Sequence, residues 1–273
     1  MRDILAVTDQ CPTWQPNVVY AAHLAARLDA SLTGLYVSPE PRQPPDGEPD
    51  VVAREIIEAG YERLHLAQHA RADFIAWASR NGVEKTDWQI ADRGMRSTIR
   101  RASNWHDVAV FAHPGEAPPW TVDMLGQIVL SVEIPCLFVP ASVAAAKLHT
   151  IAIAWNGSPE SVRALHASLP LLRLAGRIVI LYGRRARPSS SPLWPPASSI
   201  EDYLSWQGLN ASVVAIDVAD GHTGAQILFE AGNIEADLLV MGGYGRTRFS
   251  ERWFGGVTLH ALHRAQMPVF MRH

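Results

Sequence analysis

The chain has 273 residues, more than one typical domain and close to two small ones of about 136 residues each. It is 48% hydrophobic and 19% charged, with a formal charge of −3, a balance that fills a core and excludes wholesale disorder. No basic excess points to nucleic acid, and Cys11 and Cys136 alone build no disulfide framework. Polar residues interrupt every apolar run short of the roughly 20 residues of a membrane helix, and the apolar opening is too short for a signal peptide. A soluble, cytoplasmic chain with no membrane or nucleic-acid partner is expected.

In chain order, strands are predicted near 3–8, 32–37, 86–90, 107–112 and 135–139, alternating with helices near 15–28, 50–80, 95–104 and 122–132. The long helix over 50–80 places Ile57, Tyr61, Leu64, Ile75 and Ala78 at helical spacing. The alternation then restarts, with strands near 149–154, 177–182, 212–217, 237–242 and 268–272 and helices near 159–174, 197–207, 222–234 and 254–265. Runs such as Ile178-Val179-Ile180-Leu181 are apolar at every position, which marks strands covered on both faces. The expected fold is therefore α/β, with two tandem domains, each an open five-stranded parallel sheet with helices on both faces. The Pro-rich stretches 39–49 and 188–196 follow the second strand of each half and read as matching loops.

Three segment pairs repeat in the same order. Residues 4–9 match 151–156, residues 107–111 match 237–241, and residues 135–139 match 268–272. The spacing shrinks from 147 (Ile4 to Ile151) to 130 (Asp107 to Asp237), then grows to 133 (Pro135 to Pro268). The first copy is thus longer before its Asp-led strand, and the second is longer by three residues after it. The boundary is placed between the copies, giving domains 1–143 and 144–273.

The strongest local signal is Met241-Gly242-Gly243-Tyr244-Gly245, followed after nine residues by Gly255-Gly256-Val257-Thr258. Gly242, Gly245 and Gly255 give Gly-x2-Gly-x9-Gly between a buried strand and a helix. Glycines let backbone approach a phosphate closely, and the following helix aims its free N–H groups and positive dipole end at the same place. An ordinary glycine-rich turn is the alternative on spacing alone.

This pattern resembles the universal stress protein family, whose adenine nucleotide alpha hydrolase-like domain of about 140 residues carries Gly-x2-Gly-x9-Gly-Ser/Thr before its last helix and strand. The resemblance covers both halves and the full glycine pattern only the second. It implies an adenine nucleotide (ATP, ADP or AMP) in the C-terminal domain, with magnesium arriving only with ATP and no metal ligands assigned. The implied contacts are Gly242, Gly245, Gly255, Gly256 and Val257 around ribose and phosphates, with Met241 flanking the base. Asn156 and the preceding Ala154 lie at the end of the first strand of that half. Asn156 replaces the usual Asp, and an amide still donates and accepts. Gly256 replaces the usual Ser/Thr, which removes a hydroxyl but keeps the N–H. Arg246, Arg248 and Arg252 in the nine-residue insert are candidates to compensate. The resemblance further implies a sensing or regulatory role in stress response and pairing of residues 135–139 with 268–272 as an intrachain pseudo-dimer. Further homodimerisation is the extension of that idea.

The first half keeps Asp9 at the family's acidic position but lacks the cradle. Its counterpart of the glycine loop is Phe111-Ala112-His113-Pro114-Gly115, and Val122 and Asp123 stand where Gly255 and Gly256 stand in the second half. It reads as a degenerate domain with a structural or regulatory role, or with a different ligand. His260 and His263 are too few for a zinc site. His65 and His69 read as an exposed helix face, and Cys136 as core packing. No nucleophile elbow, P-loop or catalytic base is identifiable, so ATP hydrolysis is at most slow. A nucleotide-free interaction scaffold and a slow ATPase or phosphotransferase remain the alternatives to a nucleotide-binding regulator.

Overall fold

The computed structural model describes the chain except residues 39–49, 92–94, 115–119, 184–198, 217–221 and 245–255. The N-terminal half runs β1 (Asp3–Thr8), α1 (Pro16–Leu28), β2 (Ser31–Tyr36), α2 (Asp50–His69), α3 (Arg71–Arg80), β3 (Thr86–Ile90), α4 (Met95–Ser103), β4 (Val108–Ala112), α5 (Val122–Ser131) and β5 (Cys136–Val139). The C-terminal half runs β6 (Thr150–Trp155), α6 (Pro159–Leu172), β7 (Arg177–Gly183), α7 (Ile200–Trp206), β8 (Ala211–Ile216), α8 (Thr223–Asn233), β9 (Leu238–Gly242), α9 (Gly256–Arg264) and β10 (Val269–Arg272). Among the described residues the strands form one ten-stranded sheet in the order β3-β2-β1-β4-β5-β10-β9-β6-β7-β8.

Each half is a parallel five-stranded sheet, and the two are mirror-ordered about a seam. There β5 and β10 pair antiparallel, with Val269 opposite Phe138, Phe270 opposite Leu137 and Met271 opposite Cys136. The sequence marked these two strands as candidates to pair, and they do so within one chain. The division at 143/144 falls in the connection between β5 and β6.

The uniform apolar runs follow from two buried faces. Ile4 and Ala6 belong to one core layer, and Leu5 and Val7 to the other, as successive side chains point to opposite sides. The first layer includes residues of α1, α3, α6 and α7, and the second residues of α4, α5, α8 and α9. Both layers continue across the seam, through Leu137 and Phe270 on one side and Phe138 and Val269 on the other. The Asp that leads the fourth strand of each half ties it to the first: Asp107 Oδ2 accepts the N–H groups of Arg2 and Asp3. Asp237 Oδ2 likewise accepts those of His149 and Thr150, each at 2.9 Å.

One predicted element is corrected. The single helix over 50–80 is two, α2 and α3, meeting at Ala70. Ala70 N–H bonds back to Ala67 O at 3.3 Å in a tightened turn, and the same carbonyl accepts the Trp88 indole N–H at 2.9 Å. The bend turns Phe74 and Ala78 into the core, where Phe74 packs on Trp88 at 5.1 Å, while Tyr61 is left 71% exposed. Ile57 lies among the helix residues whose side chains are outside the described set. His65 and His69 are exposed as expected, their rings 4.4 Å apart. Cys136 is fully buried, which pushes its thiol far above the ordinary range.

Candidate functional site

The carboxyl end of β6 is shaped by Asn156-Gly157-Ser158-Pro159. Asn156 Oδ1 accepts the Ser158 N–H at 3.0 Å, closing a side-chain turn. Gly157 has φ +72, the left-handed conformation that glycine takes without a Cβ clash. Ser158 then caps α6, its hydroxyl accepting the Ser161 N–H at 3.2 Å, and Pro159 occupies the first helical turn. The predicted Asn156 is exposed and its carbonyl is engaged locally, leaving the amide NH2 as the group it presents to a ligand.

Strand β9 lies beside β6, and Ala154 is opposite Met241 in the register, so these two predicted residues are neighbours. The glycines that follow do different work. A Cβ on Gly242 would lie 2.7 Å from Ser161 N and 2.8 Å from Glu160 C, so its missing side chain is what seats α6 against β9. Gly256 is the first residue of α9, exposed, and a Cβ there would meet nothing within 4 Å. Val257 is half-buried beside it. The first turn of α9 is fastened to the end of β9, where the Tyr244 N–H donates to Thr258 Oγ1 at 3.2 Å. Gly245, Gly255 and the arginines at 246, 248 and 252 lie outside the described residues. The arrangement is an exposed helix N-terminus at the carboxyl end of a parallel sheet, a place suited to an anion.

Tyr244 was not singled out by sequence. It has φ +51, is 6% exposed, and its phenol is pushed up to about 12 by burial and by the Asp123 carboxylate. His273 Nδ1 lies 3.2 Å from Gly243 O, and the Gly243 N–H donates to Arg272 O at 2.8 Å, so the C-terminal strand braces the same loop.

The equivalent place in the first half is filled by its own side chains. Asp9 follows β1 and is 6% exposed. Trp120, the residue before the α5 cap, is 5% exposed, stands edge-on to Phe111 at 6.0 Å and lies beside the Asp9 carboxyl. Thr121 Oγ1 caps α5 by accepting the Met124 N–H at 3.2 Å, and Asp123 sits in the first turn. Trp120 was a missed residue; the Pro118-Pro119-Trp120 string marks a departure from the glycine pattern but not where the indole goes. Burial raises the Asp9 carboxyl above the ordinary carboxylate range, against hydrogen bonds from Gln15 and Trp120 that act in the lowering direction.

A raised folded pKa means that the fold disfavours ionised Asp9. The penalty is complete above the raised value and vanishes below the ordinary carboxylate range, where folded and unfolded chains are both protonated. Asp9→Asn is therefore expected to raise the melting temperature at pH 7, with the gain shrinking on acidification through the carboxylate range. A lower melting temperature at pH 7 would show that the ionised carboxylate is needed by its neighbours.

Elsewhere, His260 packs its Cβ over Gly224 of α8, where an added Cβ would approach to 2.8 Å. Among the described residues no three His, Cys, Asp or Glu side chains stand together as a metal site, and no helix is long and apolar enough to cross a membrane.

Comparison with known proteins places this architecture. Residues 147–273 match the model of the universal stress protein family. A universal stress protein of Synechocystis is 21% identical over 292 residues, covering 98% of this chain and 99% of its own length. The crystal structure of a universal stress protein from Archaeoglobus fulgidus superposes with a TM-score of 0.66 at 16% identity, covering 99% of this chain and 95% of that one. A universal stress protein solved in complex with cAMP covers 51% of this chain and 97% of its own, at 14% identity and a TM-score of 0.37. The family's model is thus matched by the second half, and the whole chain is similar to universal stress proteins, with the same fold present twice about a common seam.

Proposed function

We propose that this protein binds an adenine nucleotide in its C-terminal half and acts as a sensor or regulator in stress response. The observation that carries the reading is the open first turn of α9, fastened to the end of β9 beside the β6 turn that presents Asn156. The free N–H groups and positive end of α9 would receive phosphate oxygens. Ala154 and Met241 would flank the base, with the Asn156 amide as a hydrogen-bond donor to it. The residues fit such a group, because Gly256 leaves the approach to the helix unfilled. The first half does not fit: Trp120 is buried against Asp9, and Asp123 puts a negative charge on the corresponding helix turn. ATP, ADP and AMP are all within this reading, magnesium would come with ATP, and turnover is not part of it. Domains 1–143 and 144–273, residence in the cytoplasm and further pairing of tandem chains belong to the same proposal.

The test is isothermal titration of the full chain with ATP, ADP and AMP, alongside melting curves. A ligand at a hundredfold excess over its Kd should stabilise the fold by about 2.7 kcal/mol. Gly256→Ser restores a hydroxyl in open space and should bind at least as tightly as the parent chain. Gly256→Asp should keep or slightly raise the melting temperature, since a carboxylate favours a helix N-terminus, yet weaken nucleotide about tenfold or more by charge repulsion. No heat and no melting shift with millimolar nucleotide would leave the nucleotide-free scaffold as the reading. Equal binding by Gly256→Asp would move the phosphates away from α9.

A further inference from the structure

The two halves touch at more than the β5–β10 seam. We infer that Tyr244 is a positioning residue through which α5 of the first half sets the start of α9, the turn proposed to receive phosphate, in the second. This rests on the proposed nucleotide site and adds a control on it.

Tyr244 begins the loop that leads from β9 to α9, two residues beyond the end of the strand. Among the described residues, three that are not glycine have positive φ: Asp29, Glu235 and Tyr244. Asp29 caps α1 and Glu235 follows the α8 cap residue Ile234, helix ends where the left-handed conformation is common. Tyr244 follows a strand and carries a bulky ring, a combination that the surroundings must impose. Two contacts among the described residues act on it. Its N–H is held by Thr258 Oγ1 at 3.2 Å, inside its own half. Its ring crosses to the other half and ends on Gly126 of α5, where a Cβ would lie 2.1 Å from the hydroxyl oxygen and 3.0 Å from the ring carbon that bears it. Gly126 is buried in mid-helix, so its missing side chain is the seat for the tyrosine.

A second contact crosses the other way. His113, which bonds to Val139 O as Gly243 bonds to Arg272 O, sets its Nε2 3.2 Å from Ala261 O on α9. Each half thus reaches over the seam to the helix that follows the fourth strand of the other. The first half has its own cleft filled by Trp120, and it supplies the wall against which Tyr244 of the second half is set. Nucleotide bound at the start of α9 should in turn be felt at α5.

The test uses the full chain with ATP, read by titration and by hydrogen exchange over residues 122–131 with and without the nucleotide. Tyr244→Phe keeps the ring and should bind ATP within about twofold of the parent chain, because the positioning resides in the ring. Gly126→Ala pushes on the tyrosine and should weaken ATP about fivefold or more, with loss of the ATP-dependent protection of α5. The double variant Gly126→Ala with Tyr244→Phe relieves the closest clash and should recover both, a rescue that general loosening of the fold does not produce. Tyr244→Ala removes the ring without a clash and should repeat the loss, which keeps the test valid if Gly126→Ala folds poorly. Parent-like ATP binding by both Gly126→Ala and Tyr244→Ala overturns the positioning role alone. So does intact ATP binding with α5 exchange unchanged. A parent chain that binds no ATP overturns the nucleotide reading, and this control with it.

Discussion

Gly242→Ala is expected to destabilise the protein by about 2–3 kcal/mol, although the change adds one methyl group. The atoms that a Cβ would meet are Ser161 N, Glu160 C and Glu160 Cβ, at 2.7, 2.8 and 2.9 Å. Two of the three are backbone in the first turn of α6, which cannot swing aside as a flexible side chain does. That turn is already held by the Ser158 cap and by Pro159, so α6 must lift from β9 as a unit. For a chain of this size the melting temperature should fall by about 5–10 °C. The displaced helix start carries Asn156-Gly157-Ser158 with it, so nucleotide affinity should fall as well. A melting temperature within a degree or two of the parent would show that α6 yields easily. Gly256→Ser is the natural control, since the same kind of addition there meets no neighbour.

Phe270→Ala should cost more, about 3–5 kcal/mol, and should weaken both halves together. Phe270 is fully buried in β10, opposite Leu137 across the seam and Val240 within its own half. β10 and β5 are the two middle strands of the ten. The cavity therefore opens inside a core layer that runs from α1 of the first half to α6 of the second. Circular dichroism of the backbone and fluorescence of the Trp14–Trp88 cluster, whose rings are 5.4 Å apart in the first half, should move to the same lower denaturation midpoint. Fluorescence that keeps the parent midpoint while the backbone signal shifts would show that the halves unfold separately.

The strands and most helices were legible to within one or two residues, and the reason is physical. A strand covered on both faces has to be apolar at every position, so Ile4 to Val7 and Ile178 to Leu181 stand out against any neighbour. The structure shows caps at helix starts, as with Ser158-Pro159 before α6 and the Ser199–Asp202 capping box of α7, and the start expected near 197 falls ahead of the latter. The helix over 50–80 misled because its spacing continues without a proline or glycine at the break. The break is caused by Trp88, a residue far along the chain that takes the Ala67 carbonyl.

At the candidate site the legibility was uneven. Ala154, Asn156, Met241 and Gly242 lie at the ends of β6 and β9, where the resemblance to the universal stress protein family put them. The glycine motif did not reveal that Gly242 is occupied by α6 while Gly256 is open, because spacing along a chain does not say which way a Cβ would point. Tyr244 sits inside the motif and Trp120 just outside its counterpart, yet the pattern gave neither a role. Their importance lies in what they touch, Gly126 and Asp9, at separations no local pattern records.

Apolar periodicity and internal repetition were thus enough to establish two α/β copies in the length of one chain, because burial on both faces of a sheet leaves its mark residue by residue. The difference between the copies belongs to the folded chain. One cleft is filled by Trp120, one helix start stays open at Gly256, and Tyr244 crosses to Gly126 only because β5 and β10 bring α5 against α9. Such contacts arise between side chains that meet after the sheet has closed, and long-range packing rather than local propensity decides them.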